Sequence, residues 1–173
     1  LFTPGRLWPA ELHSPMLDFE ATAQGARWID DIAATAKARL VSPGELVVGH
    51  HDWSGKHVRF AGDRVSVVYD WDSLRLGAEA VIVGNAAMTF TTNFDVPGVT
   101  LAPTPDEVRA FVDEYSAARP TALRRHAREQ IAACATLIAA YTARCEHSLH
   151  RTDDPTSFTW ALRTHAEEYL QLG

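Results

Sequence analysis

The sequence predicts an α+β fold that is mainly helical and contains one small β-hairpin. Apolar residues recur at intervals of three and four over long stretches near both ends of the chain, which is the pattern of amphipathic helices. Between these stretches, positions 46–69 hold three short apolar runs rich in valine, which are typical of strands. Because the runs are few and close together, we expect a small amount of sheet among packed helices.

The composition is that of a single globular domain. The chain has 173 residues, 46% hydrophobic and 22% charged, so it is long enough to bury one sizeable core. The formal net charge is -6 and no basic tail occurs, which argues against nucleic acid as a partner and mildly favours cationic substrates. The chain lacks both a long apolar run and the layout of a signal peptide, so we predict no membrane partner and a cytoplasmic location.

The first 40 residues are expected to form an extended lead-in and one helix. Residues 1–17 contain three prolines and a glycine, which disfavour regular structure. From Phe19 to Leu40 apolar residues recur at helical spacing, and Pro43-Gly44 then ends the pattern. Because the first residue is Leu1 rather than methionine, we expect the chain to begin inside a longer translation product.

Three strands are expected next, and two of them form a hairpin. The strand-like runs are Leu46-Val47-Val48, Val58-Arg59-Phe60 and Val65-Ser66-Val67-Val68-Tyr69. The turn sequence 61–64, which contains Gly62 and Asp63, joins the second run to the third. A helix is then predicted from Ala78 to about Phe90.

The chain beyond position 103 is predicted to form three helices. Residues 104–107, Thr-Pro-Asp-Glu, combine an N-cap, a proline at the first helical position and a glutamate that completes a capping box. The second helix covers positions 123–149, and Asp153-Asp154-Pro155 is expected to open the third. Cys134 and Cys145 lie about 16 Å apart along the second helix, so we predict two buried free thiols rather than a disulfide.

The chemistry of the chain is concentrated between positions 49 and 72. Three of the eight histidines lie in the polar loop 50–57, between two predicted strands. Asp52 follows the first strand and Asp70 ends the third, so the hairpin can bring both carboxylates to one small volume. One carboxylate can then take a proton from a substrate hydroxyl while the other holds a divalent cation, with position 57 as a third ligand. Phosphoryl transfer needs these parts.

Two motifs in this region resemble a known family. His50-x-Asp52-x-x-x-x-His57 resembles the H-x-D-x-x-x-x-N catalytic loop of the aminoglycoside phosphotransferase-like kinases, a branch of the protein-kinase-like superfamily. The segment 68–72, Val-Tyr-Asp-Trp-Asp, is similar to that branch's version of the metal-binding D-F-G segment. The resemblance covers residues 18–95 closely and the helical remainder in general character.

The resemblance implies a fold, a reaction and a role for each site residue. The fold would be a protein-kinase-like C-terminal lobe, with a catalytic core at 18–95 and a helical substrate-binding subdomain at 104–173. The reaction would transfer the γ-phosphate of ATP or GTP to a hydroxyl of a small molecule, and the sequence does not choose among the acceptors of the family. Asp52 would orient and deprotonate that hydroxyl, and His50 would brace the loop. Asp70 would bind Mg²⁺ with His57, and Asp72 would be either a second metal ligand or a helix N-cap.

The sequence departs from the family in two respects. His57 occupies the position where the family has asparagine, although Mg²⁺ prefers oxygen ligands. The N-terminal nucleotide lobe and its phosphate-binding lysine have no counterpart in the sequence, since Lys37 falls on the first helix and Lys56 in the catalytic loop. We therefore expect residues 1–17 to lead in from a missing N-terminal lobe present in cis, and this chain alone to bind ATP poorly.

Other interpretations of the same residues remain open. The chain can instead be a non-catalytic kinase-like binding module, or its histidines and aspartates can form a transition-metal hydrolase site. Asp52 and Asp70 can be ordinary turn carboxylates, and His57 a hydrogen-bonded loop histidine. His51 is expected to be an exposed spacer, and Trp53 and Trp71 are expected to pack the floor of the site. Five helical carboxylates either face an amine-bearing acceptor or form solvated helix faces: Asp113, Glu114, Glu146, Glu167 and Glu168.

Overall fold

The computed structural model describes residues 5–41, 44–96, 98–151 and 154–172. Within these residues the chain forms five α-helices and two antiparallel two-stranded sheets, which confirms the predicted α+β, mainly helical class. In chain order the elements are α1 (Arg27–Arg39), β1 (Leu46–His50), β2 (Val58–Ala61), β3 (Arg64–Val68), β4 (Leu74–Ala78), α2 (Glu79–Thr89), α3 (Pro105–Ala118), α4 (Arg125–Ser148) and α5 (Phe158–Leu170). Short 3-10 turns cover Gly55–His57 and Trp71–Ser73.

Helix α4 is the centre of the hydrophobic core, with α1, α2 and α5 packed around it. Its buried positions are mostly small, which lets three helices approach it from different sides: Ala132, Ala133, Ala135, Ala139, Ala140 and Ala143. A close crossing lies at Gly84 of α2. A Cβ added there would lie 2.7 Å from the Cys134 Cβ and 2.8 Å from the Ile131 carbonyl oxygen. Glycine is therefore required at position 84 by the packing of α2 on α4.

The two sheets carry the loop that holds the candidate site. β2 and β3 form the predicted hairpin, in which Val58 lies opposite Val68. β1 pairs with β4, so that His50 lies opposite Leu74 at the site end of that sheet. β4 is missing from the sequence-based prediction, and it directly precedes α2, which matches the predicted helix closely. The chain therefore leaves β1, forms the hairpin, and returns along β1 before entering the helical core.

Helix α1 begins later than the periodicity of the sequence indicates. Residues 18–26 form turns, so the predicted start at Phe19 is wrong. Asp18 accepts hydrogen bonds from the backbone N–H groups of residues 20 and 21, and the buried guanidinium of Arg144 donates to the Phe19 carbonyl. Gly25 has φ +80°, a left-handed conformation that interrupts any helix across it. Residues 18–26 therefore lead into α1 as turns, and Ala26 is the buried residue at their end.

The C-terminal helices follow the prediction except at the start of α5. The capping box of α3 is present, with Thr104 and Glu107 exchanging hydrogen bonds. α5 begins at Phe158, and Ser157 is its N-cap. The predicted start of this helix at 153–155 is therefore wrong for Asp154 and Pro155, while Asp153 lies outside the described residues. Asp154 instead accepts hydrogen bonds from Thr156 within the preceding turn.

Both cysteines are buried and free, as predicted. Burial raises the pKa of the Cys134 and Cys145 thiols to about 12 in each case, so both are neutral at physiological pH. Across the described residues, every helix falls short of the length and apolar character needed to cross a membrane.

Candidate functional site

Two segments meet at the candidate site. The loop 51–54 leaves the end of β1, and the segment 69–73 leaves the end of β3. The Tyr69 N–H donates to the His57 carbonyl at 2.8 Å, and the His51 N–H donates to the Ser73 carbonyl at 3.0 Å. These two backbone hydrogen bonds join the segments from both sides, which fixes the distance between Asp52 and Asp70.

His50 is the buried connection between the two segments. Its side chain accepts a hydrogen bond at Nδ1 from the Asp52 backbone N–H, at 3.3 Å. Nε2 lies 3.2 Å from the Tyr69 carbonyl oxygen. Because Nδ1 accepts, Nε2 carries the proton and donates to that carbonyl. The imidazole therefore holds the backbone of Asp52 against the residue that precedes Asp70.

Asp52, His57 and Asp70 form a cluster of three side chains. The His57 Nε2 lies 3.1 Å from the Asp52 Oδ2 and 3.9 Å from the Asp70 Oδ2. One ligand atom from each residue lies within 4.8 Å of the other two, a spacing that can hold a metal ion. Lys56 approaches from the solvent side, with Nζ 3.6 Å from the Asp52 Oδ2. Both partners of that ion pair are about half exposed, so it contributes little and opens readily.

Asp70 is held in an uncommon backbone conformation by Ser73. Its φ of 63° and ψ of 42° are left-handed, which aspartate tolerates better than most residues. The Ser73 hydroxyl donates to the Asp70 Oδ2, and the Ser73 N–H donates to the Asp70 carbonyl at 3.0 Å. The hydrogen bond from the Ser73 hydroxyl lowers the pKa of the Asp70 carboxyl, and the nearby His57 acts in the same direction. Asp70 is therefore a firmly ionised carboxylate.

Asp72 lies beside the cluster rather than in it. It is exposed in the 3-10 turn 71–73, and the three-residue cluster does not include it. The alternative role as a helix N-cap is wrong, because the turn is followed by β4 and the N-cap of α2 is Ala78. Asp72 is therefore outside the group of described residues that could share one ion.

His51 is not the exposed spacer that the sequence suggests. Its ring lies so close to Gly77 of β4 that a Cβ added there would be 2.6 Å from the imidazole. Its carbonyl accepts a hydrogen bond at 3.0 Å from the Asn85 side-chain amide of α2. Burial lowers the pKa of His51, which is accordingly neutral at pH 7. The contacts of His51 join the loop to β4 and α2, a role that no local motif indicates.

The two loop tryptophans have different surroundings. Trp53 packs in the floor of the loop as predicted, with its ring stacked on Phe90 at a centroid distance of 6.2 Å and at 5.5 Å from His50. Trp71 is 60% exposed and its indole N–H donates to the Val68 carbonyl at 2.8 Å, so its predicted place in the floor is wrong. The loop is thus anchored by one tryptophan, and the other is hydrogen-bonded to the last residue of β3.

Asp52 lines a cavity of about 780 Å³, a volume within the range of small-molecule sites. It is lined by the N-terminal segment, the loop 51–56, α2 and the residues after it, α4 and the start of α5: Pro9, Glu11, His13, His51, Asp52, Ser54, Lys56, Asn85, Thr89, Thr92, Phe94, Tyr141, Thr142 and Phe158. The five helical carboxylates singled out from the sequence are not among these residues. Glu146 is instead buried and caps α5, and Asp113 pairs with Arg128.

Comparison of the chain with protein-family profiles, with curated proteins and with solved structures finds no match.

Proposed function

We propose that this chain is the C-terminal catalytic lobe of an ATP-dependent small-molecule O-phosphotransferase, similar to the aminoglycoside phosphotransferase-like kinases. One observation carries the proposal. The carboxylates of Asp52 and Asp70, eighteen positions apart in sequence, both lie close to the His57 Nε2, at 3.1 and 3.9 Å. The H-x-D and D-W-D motifs thus form one site, as a phosphotransferase requires.

The two carboxylates differ in a way that suits two roles. Asp52 is about half exposed, opens on the large cavity, and has weak ion-pair partners that an incoming substrate can displace. It is the group we assign to orient the acceptor hydroxyl and accept its proton. Asp70 is less exposed and is kept ionised by Ser73. We assign it to cation binding, with His50 positioning both segments.

The donor set fits a divalent cation. Two carboxylate oxygens and one imidazole nitrogen lie within 4.8 Å of one another, close enough to share one ion. Carboxylates suit Mg²⁺, whereas the His57 nitrogen better suits Mn²⁺ and other first-row transition ions. When bound, such an ion would neutralise charge on the nucleotide phosphates. Asp70 and His57 are the residues that would hold it, and Asp72 lies in the adjoining turn 71–73.

The proposal includes a nucleotide-binding lobe in cis that carries the phosphate-binding lysine. Lys37 lies on α1 and its ammonium donates to the Arg6 carbonyl, while Lys56 lies beside Asp52. Neither lysine is on a strand, where the family carries this residue. In this proposal ATP or GTP binds between that lobe and the site described above, in the cytoplasm.

A second function is favoured by the same cluster. Two aspartates and one histidine are also the ligand types of metal-dependent hydrolases, in which a bound transition ion activates water. The two functions differ in their co-substrate. A hydrolase needs no nucleotide, and a tightly held zinc that survives dialysis would support it. A non-catalytic binding module would show neither property.

The experiment that tests the proposed function is a phosphate-transfer screen. The product of the complete gene is incubated with γ-labelled ATP or GTP, with Mg²⁺ or Mn²⁺, and with a panel of hydroxyl-bearing acceptors. We expect label to move to at least one acceptor. Failure with every nucleotide, cation and acceptor, together with retained zinc and hydrolytic activity, would favour the hydrolase instead.

A further inference from the structure

The cavity beside Asp52 has a wall that accepts hydrogen bonds. Three threonines line it, and each has already donated its hydroxyl proton to a backbone carbonyl. Thr89 donates to the Asn85 carbonyl at 2.9 Å, Thr92 to the Leu101 carbonyl at 2.8 Å, and Thr142 to the Ile138 carbonyl at 3.1 Å. A hydroxyl has one proton and two lone pairs, so these three oxygens present only lone pairs to a ligand.

The Asn85 side chain adds to this bias. One N–H of its amide donates to the His51 carbonyl at 3.0 Å, so the amide retains its oxygen as a further acceptor together with one N–H donor. His13 and Tyr141 are hydrogen-bonded to each other at 2.7 Å, so that pair offers little to a ligand unless it opens. The wall therefore favours a molecule that donates several hydrogen bonds.

The charges of the cavity lining argue against two classes of ligand, polycations and anions. Glu11 and Asp52 are acidic and Lys56 is basic, so the lining is close to neutral and carries one excess negative charge. A polycation needs several carboxylates to replace its hydration, and this lining supplies only Glu11 beyond the proposed base. A phosphorylated or carboxylated molecule would face hydrogen-bond acceptors and the carboxylates of Glu11 and Asp52, which disfavour a negative charge.

Aromatic side chains complete the lining. Phe94, Tyr141 and Phe158 contribute ring surface to the same cavity as the threonines. Phe158 is 1% exposed and thus forms a rigid floor, whereas Phe94 is 63% exposed at the rim. A molecule that carries both hydroxyl groups and apolar C–H surface matches this lining, because its hydroxyl groups can donate to the acceptors and its C–H surface can pack on the aromatic rings.

We propose that the cavity binds an uncharged polyhydroxylated molecule, such as a monosaccharide or a cyclic polyol, as the phosphate acceptor. This inference rests on the proposed function, because it is Asp52 that makes a bound hydroxyl reactive. The ligand's hydroxyl groups donate to the Thr89, Thr92, Thr142 and Asn85 oxygens, and one further hydroxyl donates to Asp52. In the transfer itself the acceptor oxygen forms a bond to the γ-phosphorus of the nucleotide, the bond from that phosphorus to the bridging oxygen breaks, and the hydroxyl proton passes to Asp52.

The experiment measures binding separately from turnover. Saturation-transfer NMR and calorimetry are run on the complete gene product with three panels: neutral monosaccharides and cyclic polyols, polyamine aminosugars, and sugar phosphates. We expect a member of the neutral panel to bind most tightly. Thr142→Val keeps the shape of the side chain but removes the acceptor, and should weaken that binding about fivefold, the effect of one hydrogen bond.

The chain offers a matched control. Thr164 on α5 donates to the carbonyl four residues earlier, as Thr142 does, but it is exposed and does not line the cavity. Thr164→Val should leave binding unchanged. If Thr142→Val fails to fold, as judged by circular dichroism, Thr89→Val serves as the second test with the same expected effect.

The outcomes separate this inference from the proposed function. Tightest binding of an aminosugar polyamine or a sugar phosphate, absence of binding by the whole neutral panel, or equal binding by the Thr142→Val and Thr164→Val variants would each overturn it. Polyol binding that depends on Thr142 but comes without phosphate transfer would uphold the ligand class and contradict the phosphotransferase function. Phosphate transfer to a charged acceptor would uphold the phosphotransferase function and contradict the ligand class.

Discussion

His50 donates a hydrogen bond from Nε2 to the carbonyl oxygen of Tyr69, with 3.2 Å between the two atoms. The same ring accepts a hydrogen bond from the backbone N–H of Asp52. Since Tyr69 precedes Asp70, one buried imidazole links the backbones of the two proposed catalytic aspartates. The geometry of the site therefore depends on a residue that touches neither substrate nor cation in our account.

Replacement of His50 should slow catalysis because it displaces the two aspartates that His50 holds in place. His50→Ala removes both hydrogen bonds and leaves the Tyr69 carbonyl without its side-chain donor, so we expect a loss of about 1–3 kcal/mol in the free energy of unfolding. We also expect kcat to fall by about 100-fold with little change in KM for the acceptor, because the reacting groups are displaced. Denaturant unfolding and steady-state kinetics test this. His126→Ala, at an exposed helical position, is the control and should change neither.

The identity of residue 57 should decide which cation binds. With an imidazole beside Asp52 and Asp70, the site is expected to bind Mn²⁺ more tightly than Mg²⁺, since nitrogen is a better ligand for first-row transition ions. His57→Asn restores an oxygen ligand and should reduce the preference for Mn²⁺ by about tenfold. Electron paramagnetic resonance of Mn²⁺, titrated with Mg²⁺ as competitor, measures this without any turnover. Equal competition curves for the wild type and the variant would contradict a ligand role for His57.

Glu146 should stabilise the fold through the start of α5. Its carboxylate is buried and accepts hydrogen bonds from the backbone N–H groups of Phe158 at 3.0 Å and Thr159 at 2.7 Å, and from the Thr159 hydroxyl. Glu146→Ala leaves these donors without their acceptor, so we expect a loss of about 2 kcal/mol in the free energy of unfolding at pH 7. Glu167→Ala, at an exposed position of α5, is the control and should have an effect below about 0.5 kcal/mol.

The contribution of Glu146 should also depend on pH. Burial raises the pKa of this carboxyl above its ordinary value of 4.5, so the folded state binds the proton more tightly than the unfolded state does. The stability that comes from protonation is therefore fully present below the unfolded pKa and is lost as the pH rises through the folded pKa. Unfolding curves of wild type and Glu146→Gln between pH 4 and 7 test this. The wild type should lose stability relative to the variant as the pH rises, and the opposite slope would contradict the assignment.

The parts of the fold that the sequence predicts are those governed by local chemistry. The hairpin β2–β3 follows from valine-rich runs around a turn at Gly62, and the start of α3 follows from the capping box of Thr104 and Glu107. The errors depend on features that the apolar periodicity does not show. α1 starts late because Gly25 is left-handed and because Arg144, more than a hundred residues away, binds the Phe19 carbonyl. β4 forms because β1 is there to pair with it, which local pattern does not show.

The same distinction holds in the site. Asp52, His57 and Asp70 are predicted as a group, because their positions around a hairpin constrain where they lie, and the structure brings them within 4.8 Å. Ser73 and Asn85 are missed. Ser73 follows Asp70 by three residues, and this spacing, at which a serine hydroxyl can reach an aspartate across one turn, is the signal that could have indicated it. Asn85 contacts the loop only because α2 packs beneath it.

The central claim is that Asp52 is the base of a phosphoryl transfer, and the Asp52→Asn variant of the complete gene product tests it most directly. Phosphate transfer from ATP to the acceptor identified by the screen is measured for the wild type, for Asp52→Asn, and for Asp63→Asn, which changes an exposed aspartate in the hairpin turn and serves as the control. With folding verified by circular dichroism, we predict that Asp52→Asn lowers kcat by about 100-fold to 10,000-fold and that Asp63→Asn retains wild-type turnover. Turnover by folded Asp52→Asn within a few-fold of the wild type would contradict the claim.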